Sequence, residues 1–177
     1  MPPVIIAHRT SPLDAAENSL DGIRRSAELG ADYVEIDVRR TRDGVPVMLH
    51  DALLLRTTLR PWPVSWATAK GLRRAHLRGS PQSVPTFAEA LDALPAGLGI
   101  AVDTKDPGAA EAIVSELRNQ RKLDRALLWA QSGTAVRAVR GNGRLESITL
   151  VDTQSGATRE LDAAAMFVFI GSAPRTG

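Results

Sequence analysis

Two periods of apolar and polar residues alternate along this chain. Val4 to Ala7 is a short apolar run ending at His8-Arg9, which predicts a buried strand with polar residues at its exit. Leu20, Ile23, Ala27 and Leu29 keep near-helical spacing, with Asn18 or Ser19 as the cap and Gly30 as the stop. Tyr33 to Val38 reads as a strand in which apolar and acidic residues alternate. Thr41-Arg42-Asp43-Gly44 is a turn signal, and the extended segment Pro46 to His50 follows it. Pro61 and Pro63 break the next stretch, and Ser65 starts a short helix. Thr86-Phe87-Ala88-Glu89 has capping-box spacing and opens a helix to Leu94. Ile100 to Asp103 is a strand, and Asp106-Pro107 is an N-cap with proline at the first helical position, opening a helix to about Arg121. Leu127 to Trp129 predicts a fourth strand and Thr134 to Arg140 a short helix.

Up to Arg140 strands and helices alternate, which argues for parallel strands joined by helical crossovers. After Gly141-Asn142-Gly143 the pattern changes. Ile148 to Asp152, the Gln154-Ser155-Gly156 turn, Arg159 to Leu161 and then Met166 to Ile170 predict a hairpin and a further strand. The change places a boundary near residue 141 and divides the chain into segments 1–140 and 141–177.

Composition narrows the function classes. With 177 residues, 44% of them hydrophobic and 24% charged, the chain has the balance of a soluble globular domain. The absence of cysteine excludes a disulfide framework, a thiolate metal site and a thiol nucleophile. No apolar run approaches the roughly 18 residues that cross a bilayer, and the N-terminus lacks the basic and apolar regions of a secretory signal. A cytoplasmic protein is therefore expected. A formal charge of +2 with scattered basic residues argues against a nucleic-acid partner, and the cluster from Lys70 to Arg78 reads as a solvated face.

The residues that carry chemistry are few. Glu35 and Asp37 are two apart on a strand, so both side chains emerge on one face. They are either a solvent-facing acidic edge or ligands for a hard cation, since all-oxygen donors suit Mg²⁺ or Ca²⁺. If Asp43-Gly44 forms a two-residue hairpin loop, Arg42 pairs with Val45 and Asp37 lies opposite His50; a three-residue loop shifts this register. His8 and His50 each follow an apolar strand, at the end where loops gather, and imidazole titrates near neutral pH. Each alone reads as a structural histidine; the two together, with a carboxylate pair between them, point to acid–base chemistry. His76 lies in an Arg-rich segment and reads as surface. Asp103 and Lys105 repeat the two-residue spacing, either as a surface ion pair or as a further ligand and a cation for an anionic substrate. Arg9 offers a fork for phosphate.

Ala7-His8-Arg9, Ala16-Glu17-Asn18-Ser19, Gly30 to Val38, Thr41 to Gly44 and His50-Asp51 together resemble the glycerophosphodiester phosphodiesterase family, with Arg56-Thr57-Thr58 as a continuation. The resemblance implies an α/β fold of the TIM-barrel type, a divalent metal, and hydrolysis of a small-molecule phosphodiester to an alcohol and glycerol 3-phosphate. It implies His8 and His50 as the acid–base pair and Glu35, Asp37 and Asp103 as metal ligands. Arg9, Glu17 and Lys105 fall at its substrate-binding positions, with Glu17 close to Arg9. The chain departs from the family pattern at Thr10, where glycine is usual, at Ala16 and Ser19, and at Asp103, one methylene shorter than the usual glutamate. A whole barrel takes about 250 residues. At most four barrel strands fit before residue 140, so about half a barrel is expected, followed by a β-rich tail, with a homodimer covering the open edges. From about 143 to 177 the chain resembles part of a thioredoxin-reductase-like flavoprotein, without a cysteine pair or a nucleotide-binding glycine fingerprint. The alternatives to hydrolysis are an inactive binding or dimerising module and a flavin- or nicotinamide-linked reductase fragment.

Overall fold

A computed structural model of the chain describes residues 4–130, 134–140, 146–152 and 155–162. In chain order the first elements are β1 (Ile6–Ala7), α1 (Leu20–Glu28), β2 (Tyr33–Arg40), β3 (Pro46–Met48), α2 (Leu55–Thr58), α3 (Ala69–Leu72) and α4 (Phe87–Ala93). They are followed by β4 (Gly99–Thr104), α5 (Ala110–Asn119) and β5 (Ala126–Ala130). One sheet runs β1-β2-β4-β5 with all neighbours parallel, and β3 joins β2 antiparallel.

The two faces of this sheet have opposite chemistry because side chains alternate along each strand. Val34, Ile36 and Val38 of β2 and Ile100 and Val102 of β4 are buried with Ile23 of α1, Phe87 and Leu91 of α4, and Ile113 and Leu117 of α5. Burying one such side chain is worth about 1.5–3 kcal/mol, so this cluster holds the helices to the sheet. The other face carries Glu35, Asp37 and Asp103. Helices on one face and polar side chains on the other are the layering of a barrel wall.

The local signals behave as their chemistry requires. Ser19, not Asn18, caps α1 by accepting from the Gly22 amide at 3.1 Å. Thr86 and Glu89 form the reciprocal capping box of α4. Asp106 accepts from the Gly108 amide at 2.9 Å and opens a 3-10 turn, Pro107–Ala109, that runs into α5. Ser65 lies in a 3-10 turn, Val64–Trp66, rather than an α-helix.

Two expectations are corrected. The hairpin between β2 and β3 pairs Val38 with Met48 and Arg40 with Pro46, so its loop has three residues rather than two. The Thr41 amide donates to the Val45 carbonyl at 3.0 Å, and Gly44 takes a φ of 83°, the left-handed conformation that closes such a loop. Leu49, not His50, therefore meets Asp37, its amide donating to the Asp37 carbonyl at 2.9 Å. A slip of one residue exchanges the faces of a strand. This register sends Met48 to the main core and Val47 and Leu49 to a second cluster with Leu54, Val64, Leu72 and Leu77.

Thr134–Arg140, expected as a helix, is strand β6, pairing with β7 (Ser147–Asp152), which pairs in turn with β8 (Thr158–Asp162), all antiparallel. Seven residues make a marginal helix in isolation, and the β7 ladder satisfies the same backbone groups. The hairpin after residue 146 is as expected; the strand expected at Met166 to Ile170 lies outside the described residues.

Candidate active site

Parallel pairing of β2 with β4 sets Asp37 beside Asp103, with Glu35 two residues earlier on the same face. One carboxylate oxygen from each lies within 4.8 Å of the other two, and all three residues are buried. Although Asp103 is one methylene shorter in reach than a glutamate, adjacency of the strands brings it into the group. The group lies toward the carboxyl ends of the parallel strands, where loops converge.

Three carboxylates at this spacing repel one another, and burial removes the water that would screen them. Burial is the main cause that pushes the Glu35 carboxyl up to about 7, and the charges of Asp37 and Asp103 add to it. The neighbouring cations answer part of the charge. Lys105 Nζ lies 3.1 Å from Asp37 and 2.5 Å from Asp103, itself almost wholly buried. Arg9 Nε is 3.4 Å from Asp37, and the Arg9 amide donates to Glu35 at 2.8 Å. His8 Nε2 is 3.9 Å from Glu35 Oε2. The amide side chain of Asn18 donates to Asp37 Oδ2 at 2.9 Å while its oxygen accepts from the Asp37 backbone amide at 3.0 Å.

The loop after β1 aims these groups through unusual backbone conformations. Arg9, Thr10, Ser11 and Asn18 all have positive φ, between 48° and 60°. For Thr10, with its branched Cβ, this is a costly conformation, and it stands where glycine is usual in the resembled family. Its hydroxyl accepts from the Ser19 amide at 3.2 Å, and Gly22 leaves the room that Thr10 fills: a Cβ there would collide with Thr10.

A second group of charges lies on the loops. Arg56 of α2 forks onto Glu17 with contacts of 2.7 and 2.6 Å, and its Nε donates to Asp51 at 2.5 Å. Asp51 in turn meets His50 Nδ1 at 2.6 Å. Hydrogen bonding from Arg56 is the largest cause that holds the Asp51 carboxyl down at about 2, with His50 adding to it. Glu17 and Arg56 also line an open cavity of about 560 Å³ bounded by Pro12 to Ala16, Thr57 and Leu77 to Gly79.

The structure thus brings together His8, Arg9, Glu35, Asp37, Asp103 and Lys105. Glu17 pairs with Arg56 rather than Arg9, and His50 is held by Asp51 rather than placed across from Asp37. Sequence reasoning missed three participants. The sequence offers Asn18 as a helix cap and as part of the resemblance, and Arg56 and Asp51 as part of the resemblance, without a role for any of them, although an acid directly after a histidine is a signal for a ring-orienting partner.

A wall of parallel strands covered by helices on one face, with buried carboxylates toward the strand ends on the other, is the layering of an α/β barrel, and oxygen donors are the kind that a hard cation takes. The chain belongs to the glycerophosphoryl diester phosphodiesterase family, whose model matches residues 8–174. A probable glycerophosphodiester phosphodiesterase 2 of Mycobacterium tuberculosis is 36% identical over 115 residues, 65% of this chain and 43% of its own length. Among solved structures, a phosphodiesterase of Oleispira antarctica in complex with the product sn-glycerol-3-phosphate superposes with a TM-score of 0.67 at 27% identity. That match covers 72% of this chain and 57% of the other. A glycerophosphodiester phosphodiesterase of Agrobacterium tumefaciens gives a TM-score of 0.66 at 26% identity, over 73% of this chain and 58% of its own. The chain therefore spans about half the length of these relatives. Among the described residues, no helix is long and apolar enough to cross a membrane.

Proposed function

We propose that this chain carries the active site of a metal-dependent glycerophosphodiester phosphodiesterase, hydrolysing its substrate to an alcohol and glycerol 3-phosphate. The observation that carries the reading is the buried group Glu35, Asp37 and Asp103, with donor atoms inside 4.8 Å and His8 beside it. The donor set fits a divalent cation: all ligand atoms are oxygen, and the three carboxylates outnumber the two cations beside them, Lys105 and Arg9. Glu35, Asp37 and Asp103 would hold Mg²⁺ or Ca²⁺, and such an ion supplies charge stabilisation to a phosphoryl group.

The chain's own residues supply the rest. Arg9 and Lys105, both at the carboxylates, place positive charge where a phosphodiester would bind. Of His8 and His50, one takes the proton of the attacking oxygen and the other protonates the leaving alkoxide. Glu17 acts through Arg56. A cytoplasmic setting, a division near residue 141 and a homodimer across the edges of the parallel sheet complete the reading.

The test is release of glycerol 3-phosphate from glycerophosphocholine or glycerophosphoethanolamine, with Mg²⁺ or Ca²⁺ and then with chelator. Turnover that needs metal and falls about 10²–10⁴-fold in His8→Ala and in His50→Ala, with melting unchanged, is expected. A folded chain that binds metal and does not turn over substrate is instead a binding module.

A further inference from the structure

We propose that Arg56 is a positioning residue: by clamping Asp51 against the β1–α1 loop through Glu17, it fixes His50 in the tautomer that leaves its Nε2 lone pair free for proton transfer. The proposal rests on the phosphodiesterase reading only for the use made of His50, not for the clamp itself.

The geometry is a chain of four side chains from three separate segments. Glu17 comes from the loop after β1, Asp51 and His50 from the segment after β3, and Arg56 from α2. Every nitrogen of the Arg56 guanidinium is engaged: Nη1 and Nη2 on the two oxygens of Glu17, and Nε on Asp51 Oδ2. The remaining Asp51 oxygen meets His50 Nδ1 at 2.6 Å. Arg39 Nε donates to the His50 carbonyl at 2.7 Å and anchors the backbone, so the ring is the part left to be oriented.

An ionised carboxylate only accepts, so the proton between Asp51 and His50 resides on Nδ1. In neutral imidazole the lone pair is then on Nε2, the atom that points away from Asp51. Asp51 accepts at neutral pH with or without Arg56; what the Arg56 Nε contact with Oδ2 supplies is the orientation that keeps the other oxygen on His50 Nδ1. Without Arg56, Asp51 on its exposed loop can turn to water, and the ring loses its partner. A lysine cannot substitute: it brings the charge but not the planar fork that meets two carboxylates at once.

The test uses the full chain labelled with ¹⁵N-histidine and long-range ¹H–¹⁵N correlation at about pH 8.5, where imidazole is ordinarily neutral. His50 is assigned by comparison with His50→Gln. His76, whose Nδ1 lies 2.9 Å from the Pro81 carbonyl, is the internal reference for an Nδ1–H ring. His50 is expected to show the Nδ1–H pattern in the unsubstituted chain. In Arg56→Gln and in Arg56→Lys it is expected to move toward the Nε2–H form that imidazole favours in water, with His76 unmoved. In the glycerophosphodiester assay, kcat is expected to fall about tenfold with KM within about twofold. If Arg56→Gln does not fold, Arg56→Lys carries the test. An unchanged His50 pattern in the folded variants would overturn the positioning role, whatever happens to turnover. A shifted pattern in a chain that never turns over substrate would uphold the clamp and overturn the phosphodiesterase reading.

Discussion

Two groups of carboxylates in this molecule meet opposite fates. Glu35, Asp37 and Asp103 sit on adjacent strands inside the sheet face, while Glu17 and Asp51 sit on loops and share Arg56. Burial pushes the Glu35 carboxyl up to about 7, whereas pairing with Arg56 holds Asp51 at about 2. Each group has one cation fewer than it has carboxylates, Lys105 and Arg9 for three and Arg56 for two, so the difference lies in the water left around them. The strand group is dry and its repulsion unscreened, so it is poised to take a cation. The loop group is wet and its repulsion screened, so it is suited to holding geometry.

The sharpest way to break this contrast is Lys105→Met, which removes the buried cation between Asp37 and Asp103. Leaving buried charges without their partner costs about 3–5 kcal/mol, read by urea denaturation in chelator. A divalent ion at a hundredfold excess over its Kd is expected to restore about 2.7 kcal/mol. A loss below about 1 kcal/mol with no response to metal would remove the electrostatic strain from the strand group.

The next effect is in pH. Glu35 binds its proton more tightly in the folded chain than at its ordinary value of 4.5, so protonation favours folding. Its contribution is whole below about pH 4.5 and is lost as pH rises through about 7, a fall of at most about 3 kcal/mol in metal-free buffer. Glu35→Gln should flatten that slope. Asp51 gives the reverse and weaker slope: its contribution is whole above about pH 3.8 and is lost as pH falls through about 2, reduced by the water around it. Equal slopes of one sign in both windows would erase the contrast.

The smallest effect is expected at Arg56. Although it makes three charged hydrogen bonds, it is half exposed, and Arg56→Ala should cost no more than about 1 kcal/mol by the same denaturation. A cost like that of Lys105→Met would mean that the loop clamp is part of the core.

Much of this was legible before any coordinates. The apolar runs of β2, β4 and β5 and the helical spacings of α1, α4 and α5 are plain because these elements supply the main core, and burial leaves its mark in the sequence. The acidic pair on β2 was legible for the same reason, since a strand has period two. What failed was of another kind. β6 reads as a helix because its four apolar residues, Ala135, Val136, Ala138 and Val139, keep a helical spacing, and the partner that decides it, β7, lies beyond residue 146.

The sequence by itself determined which residues share a face of one element: Glu35 with Asp37, Asp103 with Lys105, Ile36 with Val34. These follow from covalent geometry and a fixed repeat. Only the tertiary structure decided what meets across elements. The three-residue loop closed by Gly44 chose Leu49 over His50 as the partner of Asp37. Parallel register set Asp103 beside Asp37, and α2 carried Arg56 to Glu17, 39 residues away in the chain. Those contacts depend on loop conformation and packing, whose energies are summed over many residues and leave no periodic mark on any one of them.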